Sequence, residues 1–199
     1  RHADEAEQAA EQIRVYGRQA LLVEADAGDS DAQARMFAQA VERFAHVDIA
    51  VANAYYSATG FMHELPWEEV RRTLDVTMLG VLRTCQLAGQ QMARQSEAGR
   101  AGGKIIIIGS VHSYIAVPES GPYNMAKAAV DHLGRTMAAE LAPYCINVNV
   151  IHPGMINTPG SQEAVGGEEV EIARGKYVPW ERVGYPEDIA RVAVFLASD

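Results

Sequence analysis

Ser110, Tyr123 and Lys127 are the residues of this sequence whose types and spacing are best suited to chemistry. Tyr123 and Lys127 are four residues apart in a segment of helical character, so both side chains should lie on one helix face. An ammonium beside a phenol favours the phenolate, and we expect Lys127 to lower the pKa of Tyr123 until it can act as a general acid or base. Ser110 follows an apolar run at residues 104–108 and should hydrogen-bond the same substrate oxygen.

The elements that must position these residues alternate between short apolar runs and longer amphipathic stretches. The runs predict strands at residues 20–24, 47–53, 104–108 and 147–151. The stretches predict helices at residues 3–16, 30–45 (capped by Ser30), 66–95 (bent near 77–80), 120–141 and 186–197. This alternation predicts a single α/β domain, with a doubly wound, Rossmann-like parallel sheet covered by helices on both faces. Because ligands bind beyond the carboxyl ends of such strands, we expect the chemistry at residues 53–60, 109–123 and 152–159.

The amino-acid composition limits the classes of partner that this protein can bind. The 199 residues contain 17 Lys and Arg against 26 Asp and Glu, a formal charge of −9, which argues against nucleic acid as a general partner. No apolar run is long enough to span a membrane. Cys85 and Cys145 are far apart and predict buried, free thiols in a reducing compartment. We therefore expect a single-domain cytoplasmic protein.

Four collinear segments resemble the short-chain dehydrogenase/reductase family, and the resemblance covers essentially the whole chain. They are residues 109–130 (GSVHSYIAVPESGPYNMAKAAV), 47–54 (VDIAVANA), 146–159 (INVNVIHPGMINTP) and 181–199 (ERVGYPEDIARVAVFLASD). The sugar-oxidising members, such as the glucose 1-dehydrogenases, are the most similar, with the 3-oxoacyl reductases nearby. The resemblance implies a hydride transfer between NAD or NADP and a secondary alcohol or ketone, without a metal.

The resemblance also implies a role for each matching residue. Tyr123 would exchange the hydroxyl proton, Lys127 would bind the nicotinamide ribose, Ser110 would orient the substrate oxygen, and Asp26 would contact the adenine. The remaining cofactor contacts that it implies are Asn53, Ala54, Pro153, Gly154, Ile156 and Thr158, the last two at the carboxamide. Taken as residues alone, Asp26, Asn53 and the Pro153-Gly154 pair equally suit ordinary turns.

The sequence departs from the family pattern at several places. Thr77 stands where the family usually has an Asn that holds a water in a proton relay; we expect an altered relay, or simply a bent helix. Tyr55 replaces a turn glycine, and the Tyr55–Tyr56 pair is expected either to shape the substrate entrance or, the alternative we favour, to cover the rim. The family's first strand, glycine-rich turn, second strand and last strand have no counterpart, so we expect these residues to be part of a longer chain. Arg1 suggests tolerance of the NADP 2′-phosphate.

Two further expectations concern the lid and the assembly. Residues 157–185, rich in Gly and Glu, suit a substrate lid in which Tyr177 and Trp180 contact substrate, or else a disordered surface excursion. The resemblance implies a homodimer or homotetramer paired through the two long helices. Apolar residues on those helices suit this pairing or an intrachain core: Met78, Leu82, Leu87, Val130, Leu133 and Met137.

These observations predict an NAD(P)-dependent oxidoreductase that interconverts a secondary alcohol and a ketone. The charge of −9 and the acidic lid favour a sugar or small hydroxy compound, because the acidic substrate of a 3-oxoacyl-carrier-protein reductase needs a basic docking patch. That reductase is one alternative, and a non-catalytic binding or scaffold protein on the same fold is another. Turnover by the intact protein, compared with Tyr123→Phe, separates enzyme from scaffold.

Overall fold

The computed structural model describes residues 3–198 and shows a parallel β-sheet flanked by α-helices. The strands, in sheet order, are β1 (Ile49–Ala52), β2 (Gly103–Ile108) and β3 (Ile146–Ile151). The helices are α1 (Ala3–Val15), α2 (Ser30–Phe44), α3 (Trp67–Leu74), α4 (Val81–Glu97), α5 (Gly121–Leu141), α6 (Pro159–Val165), α7 (Glu168–Ala173) and α8 (Pro186–Ala197). Both strand pairs are parallel, so the carboxyl ends of all three strands meet at one edge. The predicted Rossmann-like α/β class is confirmed.

The core lies between the sheet and the helices α4 and α5. Ile105 and Ile107 of β2 are fully buried there with Met92 of α4 and Val130 of α5. Ile106 is buried outside this cluster, as expected for a strand that is covered on both faces. Each such side chain stabilises the fold by roughly 1.5–3 kcal/mol through removal of apolar surface from water.

The helix predicted at residues 66–95 is interrupted by a π-helical segment, Asp75–Gly80, between α3 and α4. This π-helical segment breaks the regular α-helical path at the place where the bend near residues 77–80 was predicted. Gly80 is required at the end of this segment, because a Cβ there would collide with the carbonyl oxygen of Ala27. The backbone of the loop before α2 therefore packs directly against the helix.

Two local predictions are wrong. Residues 20–24 form no strand, because no neighbouring strand hydrogen-bonds to them within residues 3–198 and an isolated apolar run cannot form a ladder. Helix α2 is capped by Asp29, whose carboxylate accepts hydrogen bonds from the backbone N–H groups of Asp31 and Ala32, and Ser30 is its first residue. By contrast, α8 spans the predicted range, residues 186–197.

The two long helices and the two cysteines give mixed outcomes. Val130 and Met137 are buried in the core of this chain, whereas Leu82 remains 40% exposed. Cys85 is buried as predicted, but Cys145 is exposed in a left-handed turn just before β3, so its predicted burial is wrong.

Arg1 lies outside the described residues. Among the helices that are described, none has the length and apolar character needed to cross a bilayer.

Candidate active site

A cavity of about 560 Å³ opens at the carboxyl ends of the three strands. Its volume lies within the range of small-molecule sites. The cavity wall contains most residues that the sequence singled out for catalysis and cofactor binding: Asn53, Ser110, Tyr123, Lys127, Pro153, Gly154, Ile156 and Thr158. The expectation that the strand ends carry the site agrees with this placement.

Tyr123 and Lys127 lie one turn apart near the start of α5. Gly121 and Pro122 open the helix, and proline suits this first turn because its missing N–H would have no helical acceptor. The Lys127 side chain is only 2% exposed, and its Nζ donates a 2.6 Å hydrogen bond to the carbonyl oxygen of Ile108 at the end of β2. That Nζ lies 5.4 Å from the centroid of the Tyr123 ring.

Burial controls the protonation of this pair. Removal from water raises the pKa of Tyr123; a hydrogen bond with the Ser110 side chain opposes that rise, and the nearby Tyr55 hydroxyl adds to it. The same desolvation lowers the pKa of Lys127 to about 8. The predicted lowering of the Tyr123 pKa is therefore wrong, because removal of the phenol from water is the largest influence on this pKa and raises it. At neutral pH the Tyr123 phenol is therefore protonated, and Lys127 is mostly charged.

Ser110 is fixed by both its side chain and its backbone. Its Oγ accepts a hydrogen bond from the N–H of His112 (3.2 Å), and its carbonyl oxygen lies 3.0 Å from Nδ1 of His152. Since a carbonyl can only accept, Nδ1 of His152 carries a proton. Gly109 permits this approach, because a Cβ there would stand 2.8 Å from the same Nδ1.

His152 is held from its other side by a polar cluster. Its Nε2 lies 3.0 Å from Oδ1 of Asp131 and 2.9 Å from the hydroxyl of Tyr114. Arg135 donates a hydrogen bond to the same Asp131 carboxylate. Ser110 is thus connected through His152 to Asp131, about two helical turns along α5 from Tyr123. The sequence placed His152 only within the expected site segment at residues 152–159.

Several backbone and side-chain donors fit a nicotinamide dinucleotide. A lysine ammonium has three donors, and only the bond to Ile108 is formed within the described residues, which leaves donors for ribose hydroxyls. The N–H of Ile156 has no partner within residues 3–198, which suits a carboxamide oxygen. Thr158 caps α6, and its hydroxyl is hydrogen-bonded to Ser161. The part of Thr158 that is left to contact the cofactor is its surface in the cavity wall. No group of three or more His, Cys, Asp or Glu side chains in the described range is placed to hold a metal ion.

Three predicted site residues lie outside the cavity wall. Asp26 is exposed and forms a two-oxygen ion pair with Arg72 (2.9 and 3.1 Å). Thr77 is fully buried, and its hydroxyl donates to the carbonyl oxygen of Tyr56 (2.6 Å) and accepts from the N–H of the same residue (2.8 Å). Ala54 is exposed on the rim. The hydroxyl of Thr77 therefore fixes the loop after β1, and its part in a proton relay stays a prediction.

The loop after β1 brings one aromatic residue into the cavity. Tyr55 lines the cavity, with its ring edge-on to that of Tyr123 at 6.1 Å between centroids. This position favours the alternative that Tyr55 shapes the substrate entrance over the one that it only covers the rim.

The segment at residues 157–185 is folded, with α6 and α7 joined by two glycines of positive φ, Gly166 and Gly167. Tyr177 and Trp180 are 70% and 81% exposed and absent from the cavity wall, so their contact with substrate stays a prediction that depends on closure of this segment. The cations of Lys176 and Arg182 lie 5.0 and 5.5 Å from the centroids of the Tyr177 and Trp180 rings, and both aromatic residues remain exposed.

Sequence reasoning missed an ion pair in the cavity wall. Glu171 is 1% exposed, and its Oε2 accepts a 3.0 Å hydrogen bond from Nη1 of Arg174, three residues along the chain. Both residues line the cavity, whereas the sequence predicts only Tyr177 and Trp180 as substrate contacts in this expected lid. The signal available in the sequence was the Glu–Arg spacing of three, which places both side chains on one helix face.

Comparison with known proteins gives a consistent result. The model of a family described as enoyl-(acyl carrier protein) reductase matches residues 1–199. The chain is 35% identical to the L-rhamnose 1-dehydrogenase (NAD(P)(+)) of Azotobacter vinelandii, covering 96% of this chain and 73% of the relative. It is 34% identical to the NADP-dependent (R)-specific alcohol dehydrogenase of Lentilactobacillus kefiri, covering 100% and 77%.

A solved structure agrees in fold as well. The crystal structure of a short-chain type dehydrogenase/reductase from Mycobacterium marinum superposes with a TM-score of 0.87 at 32% identity, covering 100% of this chain and 76% of that one.

Proposed function

Since this chain belongs to the short-chain dehydrogenase/reductase family and so interconverts secondary alcohols and ketones with NAD or NADP, we propose a role in that reaction for each polar group of the cavity. Tyr123 exchanges the hydroxyl proton of the substrate, and Ser110 orients the substrate oxygen. Lys127 binds ribose hydroxyls and stabilises negative charge on the Tyr123 oxygen. The observation that carries this proposal is the meeting of these three side chains at one cavity.

When bound, the nicotinamide supplies or accepts the hydride. The chain's own residues do the rest. In the direction of ketone reduction, Tyr123 donates its proton to the substrate oxygen while Ser110 donates a hydrogen bond to it, so charge on that oxygen is stabilised as it develops. In the direction of alcohol oxidation, the deprotonated Tyr123 accepts the proton. Asn53, the Pro153-Gly154 turn and the N–H of Ile156 hold the cofactor against the strand ends.

The substrate that we propose is a sugar or another small hydroxy compound. A cavity of about 560 Å³ with several polar groups suits a compact polar molecule. The formal charge of −9 would repel an acidic carrier protein, which disfavours a carrier-bound acyl substrate.

We also propose that residues 157–185 close over the substrate as a lid of a single oxidoreductase domain. Glu171 and Arg174 in the cavity wall place one helix of this segment against the substrate space, and Gly166 and Gly167 supply a hinge. Tryptophan fluorescence of Trp180, recorded with and without cofactor and substrate, tests the closure: a change is expected, and none would contradict it.

Assembly and location complete the proposal. Leu79, in the π-helical segment, and Leu82, at the start of α4, are 47% and 40% exposed. These exposed apolar side chains support a homodimer or homotetramer that pairs through the two long helical regions, residues 66–95 and 120–141. Light scattering of the protein and of a Leu82→Glu variant tests this, and a wild-type monomer would contradict it. The free thiols of Cys85 and Cys145 support a reducing, cytoplasmic location.

The activity is tested by following reduced nicotinamide while secondary alcohols and ketones are screened with both cofactors. We expect turnover by the wild type and a loss of about 10²-fold or more in Tyr123→Phe. Tyr16→Phe, at a residue that is 83% exposed, is the matched control and should keep full activity. Equal rates for the wild type and Tyr123→Phe would remove the proposed mechanism.

A further inference from the structure

The hydrogen bonds around His112 fix which of its ring nitrogens carries the proton. The Nδ2 of Asn124 donates to the carbonyl oxygen of Val117 (2.9 Å), which sets the orientation of the Asn124 amide. Its Oδ1 therefore faces Nδ1 of His112, at 2.8 Å. Since a carbonyl oxygen can only accept, Nδ1 is the protonated nitrogen, and Nε2 of the neutral ring keeps its lone pair as an acceptor.

His112 lies beside the two groups that would bind the reacting oxygen. Its ring is edge-on to Tyr123, with 5.3 Å between centroids and an angle of 84°, and both residues line the cavity. The N–H of His112 donates to Oγ of Ser110, which leaves the hydroxyl proton of Ser110 for another acceptor. Two hydroxyl donors and one imidazole acceptor thus share this part of the cavity wall.

A substrate that fits these three groups has two neighbouring oxygens, one that accepts hydrogen bonds and one that donates. One oxygen accepts from Ser110 and Tyr123, and the other belongs to a hydroxyl that can donate to Nε2 of His112. Resting on the function proposed above, we infer that His112 is a specificity-determining residue that recognises a hydroxyl on the carbon next to the reacting carbon. The preferred substrates are α-hydroxy ketones in reduction and vicinal diols in oxidation.

This assignment separates substrate classes that the catalytic groups alone do not distinguish. A simple ketone places carbon and hydrogen against Nε2 and leaves a desolvated acceptor unpaired, which sites built to bind a hydroxyl discriminate against. A 3-oxoacyl thioester has no hydroxyl donor next to its ketone, so it meets the same penalty. The inference therefore narrows the proposed hydroxy compounds to those with adjacent oxygens.

Matched pairs of ketones test the inference on the whole protein. Reduction of acetoin is compared with that of butan-2-one, and 2-hydroxycyclohexanone with cyclohexanone, using both NADH and NADPH. We expect kcat/KM for each hydroxy ketone to exceed that of its partner by about 10- to 100-fold in the wild type. In His112→Leu we expect the same ratio to fall about 10-fold or more.

The comparison between variants is decisive, because a neighbouring hydroxyl also raises the intrinsic reactivity of a ketone and that effect is common to all variants. His132→Leu, which replaces an exposed histidine of α5, is the matched control and should keep the wild-type ratio. An unchanged ratio in His112→Leu, or no preference in the wild type, would overturn the inference while leaving the reductase function in place. Failure to reduce any ketone with either cofactor would overturn the proposed function, and the inference with it.

Discussion

The ammonium nitrogen of Lys127 lies 5.4 Å from the centroid of the Tyr123 ring, with Lys127 buried and Tyr123 half-buried. Burial raises the pKa of the phenol and lowers the pKa of the ammonium to about 8. The phenol is consequently protonated at neutral pH, as ketone reduction requires, while the lysine keeps its charge only below about pH 8. Desolvation thus favours the uncharged form of both groups, the phenol and the amine.

The first prediction is a pH dependence set by Lys127. We expect kcat/KM for ketone reduction to fall as the pH rises through about 8, because the neutral amine no longer stabilises the charge left on Tyr123. Lys127→Met should be slower by about 10²-fold or more and should lack this descending limb. A pH–rate profile of both proteins checks this, and a limb near the same pH in Lys127→Met would assign it to another group.

The second prediction concerns His152, which contacts the backbone of Ser110 from behind. His152→Phe keeps a ring of similar size but removes the 3.0 Å hydrogen bond, so Ser110 loses its fixed position. We expect kcat to fall by about 10-fold or more with little change in KM. His132→Phe, at an exposed position of α5, should behave as the wild type, and equal kcat values for the two variants would contradict this role.

The third prediction concerns Thr77, whose hydroxyl makes both hydrogen bonds to the backbone of Tyr56. Thr77→Val preserves the shape of a fully buried side chain but removes both bonds, and we expect the free energy of unfolding to fall by about 1–3 kcal/mol. Thr77→Ser keeps the hydroxyl and should lose far less. Urea unfolding measures both, and equal losses would contradict the assignment. An unchanged kcat in Thr77→Val would count against the predicted proton relay.

Much of the site could be predicted from sequence because it depends on local spacing. Tyr123 and Lys127 are one helical turn apart, and Ser110 ends a strand, so the parallel sheet alone brings them to one edge. The bend at residues 75–80 was visible in the same way. These features need only the periodicity of one element and the rule for strand ends.

The remaining features depend on contacts between distant segments. The pKa of Tyr123 is set by how deeply α5 is buried, which no local pattern reveals. Asp26 is paired with Arg72, 46 residues away, and Cys145 is exposed because a left-handed turn precedes β3. The run at residues 20–24 has the composition of a strand, but a strand also requires a hydrogen-bonded neighbour.

The fourth prediction separates the two cysteines by reactivity. Burial raises the pKa of the Cys85 thiol to about 12, so only about 10⁻⁴ of it is thiolate at pH 8, whereas Cys145 is exposed. Alkylation of the native protein should modify Cys145 alone, and unfolding should release the second thiol. Cys145→Ser should be unreactive while folded. Rapid labelling of Cys85 in the native protein would contradict the buried position.

The last prediction concerns the ion pair between Glu171 and Arg174 in the cavity wall. The Glu171 side chain is 1% exposed, whereas the Arg174 side chain is 37% exposed. Solvent therefore reaches the guanidinium and weakens the ion pair, but it does not reach the carboxylate. Arg174→Met leaves a buried charge without a partner, and we expect it to lower the free energy of unfolding by roughly 1–3 kcal/mol.

A double-mutant cycle distinguishes an unpaired charge from lost packing. Adding Glu171→Gln to Arg174→Met removes the buried charge, so the double variant should recover much of the lost stability. Urea unfolding of the wild type, both single variants and the double variant gives the coupling energy. A double variant less stable than Arg174→Met would mean that Glu171 stabilises α7 by contacts other than its charge. Recovery would show that the carboxylate tolerates burial in the cavity wall only because Arg174 neutralises it.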